Sequence, residues 1–191
     1  MKNDMFVGLV GNQGAGKTQC AQYLKLGYGF AGASFAAPIY DILEKINPYF
    51  DDEEASFLCY KHAVAELGIQ EAKRLIPRVR ELLQIIGTEL GRDLHGEDCW
   101  IRILDRKHGK KSRVVIDDVR FLNEVDYIRS RNGCIVHVIS DRAPNRNAKH
   151  RSEHMDFAAV ADYTVTNNGT LAELYRQLDV IMADFGGKAE E

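Results

Sequence analysis

Gly11-Asn12-Gln13-Gly14-Ala15-Gly16-Lys17-Thr18 carries two glycines (Gly11 and Gly16), a lysine and a hydroxyl residue at the spacing Gly-x-x-x-x-Gly-Lys-[Ser/Thr]. The chemistry of that spacing is phosphate binding. Glycines let backbone N–H groups curl around phosphate oxygens without a Cβ in the way. Lys17 supplies a flexible positive charge for the β- and γ-phosphates, and the Thr18 hydroxyl is a hard oxygen donor suited to Mg²⁺. The competing dinucleotide pattern Gly-x-Gly-x-x-Gly fails, because Gly14 and Gly16 are followed by Lys17, Thr18 and Gln19. A second acidic element, Asp117-Asp118, closes the β-branched run Val114-Val115-Ile116. A phosphate-loop protein needs a carboxylate near its metal at such a place. Side chains alternate along a strand, so one of the two faces the loop. Asp118 is the favoured metal carboxylate and Asp117 the alternative.

These residues need a sheet to hold them. The apolar run Met5 to Val10 reads as a buried strand before the loop, and Gln19 to Lys25 as a helix after it. A short apolar piece ends near Ser34-Phe35, and a helix-rich middle runs from about 38 to 108. Val114 to Ile116, Cys134 to Ile139 and Tyr163 to Val165 read as further strands. The helix after Asp118 shows Phe121, Leu122, Val125 and Ile128 on one face. The last helix packs with Leu171, Leu174, Leu178, Ile181 and Phe185, and opens with the capping-box spacing Thr170/Glu173. This alternation predicts an α/β fold, a mainly parallel sheet covered by helices on both faces, with ligands at the carboxyl ends of its strands.

The length of 191 residues suits one domain, 1–191, with an embedded helical insert at about 38–108. A formal net charge of −3 gives no reason to expect nucleic acid as a partner. No apolar run spans a bilayer, Met1 to Asp4 carry no signal-peptide pattern, and Cys20, Cys59, Cys99 and Cys134 form no Cys-x-x-Cys pair. Reduced thiols and a cytoplasmic location are the expectation.

Two further stretches bear on chemistry. In Arg80 to Arg92, the residues Val79, Leu82, Leu83, Ile86 and Leu90 form an expected buried stripe, while Glu81, Gln84, Thr88 and Arg92 line an opposite polar face. Uncharged donors and acceptors on that face suit reading a base or sugar edge. Trp100, the single tryptophan, suits core packing. The basic segment from Asp141 to Arg151 reads either as a solvated loop or, the favoured alternative, as a short lid at about 141–156. In it Arg142, Arg146 and Arg151 would close over a transferred phosphoryl group and exclude water. Asn167-Asn168-Gly169 ends the last strand, where a loop can approach a base bound beside the phosphate loop.

In order along the chain, several motifs resemble the bacteriophage-type deoxynucleoside monophosphate kinases. They are the phosphate loop, Ser34-Phe35-Ala36-Ala37-Pro38, Leu82-Leu83-Gln84-Ile85-Ile86-Gly87-Thr88-Glu89 and Asp98 to Ile103. Ile116-Asp117-Asp118-Val119-Arg120-Phe121-Leu122-Asn123-Glu124, His150-Arg151-Ser152-Glu153 and Asp162 to Thr170 complete the set. The resemblance covers most of the chain, from Phe6 to about Leu178. It implies transfer of the ATP γ-phosphoryl group to a deoxynucleoside 5′-monophosphate, with Mg²⁺ as cofactor and small-molecule nucleotides as partners. By that similarity Phe35, Gln84, Thr88, Arg92 and Trp100 lie in the monophosphate pocket. Asp118 and Arg120 lie near the reacting phosphates, and Asn168 near the ATP base. One departure stands out: where the family has Phe-Ala-Asp-Pro-Leu-Lys, Ala37 and Tyr40 replace the acid and the lysine. Pairing into a homodimer is left open. Rival readings are a small-molecule kinase of the dephospho-coenzyme A kinase type and a nucleotide-binding module without chemistry. A GTPase switch lacks its Asn-Lys-x-Asp guanine reader here.

Overall fold

The computed structural model describes residues 5–50, 59–143 and 155–188. The chain divides into two compact units, one of Met1–Phe35 with Leu104–Glu191 and one of Ala36–Ile103.

The first unit is a parallel sheet of five strands in the order β2-β3-β1-β4-β5. The strands are β1 (Met5–Val10), β2 (Ala31–Ala33), β3 (Arg113–Ile116), β4 (Cys134–Ile139) and β5 (Tyr163–Thr166). All six residues of β1 are buried. A strand apolar on both faces belongs at the centre of a doubly covered parallel sheet, and β1 pairs with β3 on one side (Val7 with Val115) and β4 on the other (Leu9 with Val136). One face is covered by α1 (Lys17–Tyr28) and α9 (Leu171–Lys188). Val7, Leu9, Val115, Val136 and Val138 meet Cys20 and Leu24 of α1 and Leu174, Leu178, Ile181 and Phe185 of α9 there. Each fully buried aliphatic side chain contributes about 1.5–3 kcal/mol relative to exposure. The other face is covered by α7 (Leu122–Ser130), which packs on β1 and β4, and by the short α8 (Phe157–Val160) on β4. Phe6 of β1 meets Tyr127 of α7 edge to face, with centroids 6.0 Å apart.

Two expected core residues of this unit face solvent. Leu171 is 47% exposed, at the first turn of α9. Leu122 is 62% exposed, and Glu124, at 2%, takes an inward position on α7 instead. Glu124 Oε2 accepts the backbone N–H groups of Arg120 (2.7 Å) and Phe121 (3.2 Å), so the carboxylate is buried because it caps the helix start. The capping box at the head of α9 is present. Thr170 N–H donates to Glu173 Oε2 at 2.7 Å, and Glu173 N–H to Thr170 Oγ1 at 3.3 Å. These contacts hold the Glu173 carboxyl below its usual range.

The second unit is helical: α2 (Ala37–Ile46), α3 (Tyr60–Leu67), α4 (Ile69–Leu75), α5 (Pro77–Ile85) and a π-helix (Ile86–Asp93). The helix α6 (Cys99–His108) starts within it and runs into the first unit. The π-helix overturns the expected stripe. Bonds from i to i+5 widen each turn by about one residue, so the α-helical phase is lost after Ile86. Leu90 is 42% exposed, whereas Arg92, assigned to the polar face, is 3% exposed. The Arg92 Nη1 group donates to the Glu97 carbonyl at 2.8 Å and lies 3.7 Å from the Glu97 carboxylate. Among the described residues, no helix is long and apolar enough to cross a membrane.

Candidate active site

Every strand of the first unit ends in a segment that carries a candidate residue: Gly11–Thr18 after β1, Ser34-Phe35 after β2, Asp117–Arg120 after β3, Ser140–Arg142 after β4 and Asn167-Asn168 after β5. Ligands collect at the carboxyl ends of an open parallel sheet for this reason: its loops converge there.

The phosphate loop is shaped by its glycines. Gly11 has φ +138° and Gly16 φ +106°, values that L side chains rarely adopt. A Cβ at Gly11 would lie 2.3 Å from the Val138 carbonyl oxygen, and one at Gly16 2.3 Å from Asn167 Nδ2. Asn12, Gln13 and Gly14 are exposed at the loop's crest, and Ala15 is buried beneath it. Ala15 N–H closes a turn onto the Asn12 carbonyl at 3.2 Å. Lys17 Nζ donates to the carbonyls of Gly11 (2.7 Å) and Asn12 (2.9 Å). Burial, then the Arg120 charge, lowers the Lys17 pKa to about 8 against the pull of Asp117 and Asp118. The ammonium is thus only partly compensated, which favours an incoming anion.

The structure places the two aspartates in the opposite sense to the sequence expectation, with Asp117 rather than Asp118 beside Thr18. Thr18 Oγ1 lies 3.4 Å from Asp117 Oδ2 and donates to it. Asp118 instead accepts Ser34 Oγ–H at 2.7 Å and Phe35 N–H at 3.0 Å. Alternation explains the difference. Val115 belongs to the sheet face covered by α1, and Asp117 is its next-but-one neighbour, so it continues toward Thr18. Burial and the adjacent Asp118 push the Asp117 carboxyl upward, partly offset by the Thr18 hydroxyl. Two oxygen donors side by side, one on a carboxylate beside a second carboxylate, fit Mg²⁺, which takes one or two protein oxygens and completes its shell with water and phosphate.

Arg120 is exposed, and its charge reaches Lys17. Phe35 is 3% exposed, its ring edge-on to Tyr127 at 6.3 Å. Asn168 spends its amide on Asp141: Oδ1 accepts Asp141 N–H and Nδ2 donates to Asp141 Oδ2, both at 2.8 Å. Asn167 is the residue of that turn that touches the phosphate loop, through Nδ2 to the Ala15 carbonyl at 2.9 Å. Arg142 Nη2 donates to the Asn168 carbonyl at 3.4 Å, while Arg146 and Arg151 lie outside the described residues. His137 on β4 stands against Phe157 at 5.6 Å between ring centroids. Its pKa is lowered by burial, with Asp156 opposing and Lys17 reinforcing the shift.

Within the helical unit Gln84 and Thr88 are half-exposed. Trp100 is 6% exposed, and its Nε1 donates to the Gly87 carbonyl at 2.8 Å. Its ring lies against Gly91, where a Cβ would come within 2.3 Å of Cζ2. Sequence reasoning brought the Asn167 turn near the phosphate loop but missed the bond from Asn167 to Ala15, and it missed the capping role of Glu124 and the structural use of Arg92. Only Glu124 left a local signal, a carboxylate at the third position of a helix start.

Comparison with known proteins gives a consistent result. A sequence profile of the family described as deoxynucleotide monophosphate kinase matches residues 45–178. A protein of Acanthamoeba polyphaga mimivirus bearing the deoxynucleotide monophosphate kinase name is 28% identical over 196 residues, spanning 91% of this chain and 94% of its own length. A deoxynucleoside-5′-monophosphate kinase of Escherichia phage T5 is 46% identical over 55 residues, 28% of this chain and 22% of that relative. A deoxynucleotide monophosphate kinase of Escherichia phage RB69 is 25% identical over 109 residues, 54% of this chain and 44% of that relative.

Proposed function

The chain belongs to the deoxynucleotide monophosphate kinase family, and from that premise we propose that it transfers the γ-phosphoryl group of ATP to a deoxynucleoside 5′-monophosphate. The products are ADP and a deoxynucleoside diphosphate. The observation that carries the reading is the phosphate loop closed by Lys17, with the Thr18 hydroxyl and the Asp117 carboxylate 3.4 Å apart at its edge.

An acceptor phosphate oxygen attacks the γ-phosphorus while the bond to the β-phosphate bridging oxygen breaks, and ADP leaves with that electron pair. The acceptor is already an anion, so the step requires alignment and charge neutralisation rather than a strong base. Loop N–H groups and Lys17 hold the β- and γ-phosphates, Lys17 exchanging its carbonyl partners at Gly11 and Asn12 for phosphate oxygens. Thr18 and Asp117 would hold Mg²⁺, which when bound neutralises charge on the bridging region of the triphosphate. Arg120, exposed and within electrostatic reach of Lys17, stabilises charge on the group in flight, and Arg142 serves the same end from the β4 side. Asp118 sets the turn at Ser34-Phe35 from which the chain enters the helical unit. In that unit Gln84 and Thr88 read the acceptor, and Arg92 and Trp100 brace the π-helix beside them.

An acceptor panel tests this reading. Purified protein with ATP and Mg²⁺ is offered the deoxynucleoside monophosphates, their ribose counterparts and dephospho-coenzyme A, and products are separated by anion-exchange chromatography. Deoxynucleoside diphosphate appearing together with ADP is expected. Phosphorylation of dephospho-coenzyme A alone, or no product with any acceptor, rejects it.

A further inference from the structure

We propose that Asn167 is a positioning residue that sets the orientation of the Ala15–Gly16 peptide and thereby makes Gly16 N–H a phosphate donor. The proposal rests on the reading of Gly11–Thr18 as the ATP site. Asn167 Nδ2 donates to the Ala15 carbonyl oxygen at 2.9 Å. The Ala15–Gly16 peptide is trans, as no cis bond occurs among the described residues. In a planar trans peptide the C=O and the following N–H point in opposite directions. Fixing the Ala15 carbonyl toward the end of β5 therefore aims Gly16 N–H away from it.

Gly16 needs such a hold. With φ +106° and no Cβ, it lets the preceding peptide rotate at little cost. Rotation by half a turn would present a carbonyl oxygen where the N–H had been, and repel an anion. The approach is close: a Cβ on Gly16 would lie 2.3 Å from Asn167 Nδ2.

Asn167 is itself held from several sides. Its N–H donates to the Ile139 carbonyl at 2.7 Å, and its carbonyl accepts Ser140 Oγ–H at 3.2 Å. One residue earlier, Gln177 of α9 holds the backbone of Thr166, accepting its N–H and donating to its carbonyl, each at 2.9 Å. One residue later, Asn168 is tied to Asp141. A side chain on a backbone this restrained positions its partner rather than following it.

Asn167→Ala and the near-isosteric Asn167→Asp test the idea by a split in kinetic constants. With Asn167→Ala the KM for ATP rises roughly tenfold, the scale of one lost hydrogen bond. With Asn167→Asp it rises further, because a carboxylate facing the Ala15 oxygen drives the peptide over. The KM for the acceptor stays unchanged in both, and melting temperatures of the unliganded variants stay near wild type. Calorimetric titration of wild-type protein with ATP runs alongside. If wild type takes up no ATP, the site reading falls and this inference with it. If wild type binds ATP and both variants bind it equally well, or the variants lose melting temperature with an unchanged KM for ATP, Asn167 is merely structural and the inference alone is overturned.

Discussion

Thr18 Oγ1 donates to Asp117 Oδ2 across 3.4 Å, joining the first turn of the helix behind the phosphate loop to the end of a neighbouring strand. A separation this long leaves room for a cation to draw both oxygens onto itself. Asp118, one residue on, is committed at 2.7 and 3.0 Å to Ser34 and Phe35. Adjacent carboxylates thus have separate partners. Asp117→Asn is expected to raise the Mg²⁺ concentration for half-maximal rate and cut turnover by on the order of 10²–10³, with little change in melting temperature. Asp118→Ala is expected to do the reverse in stability. Two hydrogen bonds to a charged acceptor are lost, a cost of about 1–3 kcal/mol, or roughly 2–10 °C in Tm. Magnesium titrations and thermal melts of the two variants check the division, and equal magnesium dependence for both removes it.

Lys17 gives the site a pH dependence of definite sign. Its pKa is lowered to about 8, chiefly by burial and then by Arg120. On the proposed role of Lys17 the charged form binds phosphate, so kcat/KM for ATP is expected to hold level below about 8 and to fall as pH rises through it. Bound triphosphate favours the ammonium, which moves the corresponding break in kcat to higher pH. Lys17→Arg keeps its charge far above this range, so its residual activity shows no break near 8. A wild-type profile of kcat/KM flat from pH 7 to 10 would remove Lys17 from the role.

How much of this was legible in the sequence follows from how local each signal is. The phosphate loop was, because its conformation is written in the glycines themselves and its flanking strand is apolar at nearly every position. The strand order was not, since pairing between β1 and β3 joins segments more than a hundred residues apart. The choice between Asp117 and Asp118 depended on knowing which sheet face α1 covers, a tertiary fact. Leu90 and Arg92 exchanged environments because a π-helix replaced the 3.6-residue period from Ile86 onward, and periodicity carries no warning of that change. Asn167 was invisible as a loop contact for a similar reason: its partner, Ala15, lies 152 positions away.

Glu124 is expected to matter for stability and, through the Arg120 turn, for rate. Its buried carboxylate accepts two backbone N–H groups at the start of α7. Glu124→Ala removes the acceptor of two partly buried backbone donors, at about 1–3 kcal/mol, which corresponds to a Tm lower by roughly 2–10 °C. Glu124→Gln keeps an acceptor oxygen and loses less. Because Arg120 N–H is one of the donors, the alanine variant also loosens the segment that presents the Arg120 guanidinium, and kcat falls while KM for ATP holds. An alanine variant as stable as wild type contradicts the capping role.

The helical unit offers an optical test, because Trp100 is the single tryptophan of the chain. Its Nε1 donates to the Gly87 carbonyl at 2.8 Å, and its ring fills the space above Gly91. A methyl group at position 91 would stand 2.3 Å from Cζ2, closer than packing allows, and the ring atoms it meets belong to a rigid bicycle that has no flexible end to yield. Gly91→Ala therefore displaces the indole, breaks its bond to Gly87 and costs about 1–3 kcal/mol of stability. Tryptophan emission shifts to longer wavelength as the ring meets water. If α5 and the π-helix that continues it present Gln84 and Thr88 to the acceptor, KM for the monophosphate rises in the same variant while KM for ATP, set by the sheet unit, does not. A red-shifted emission with both constants unchanged would show that Trp100 braces the helix without serving acceptor binding. An emission spectrum identical to wild type would mean that the indole does not occupy the place above Gly91 at all.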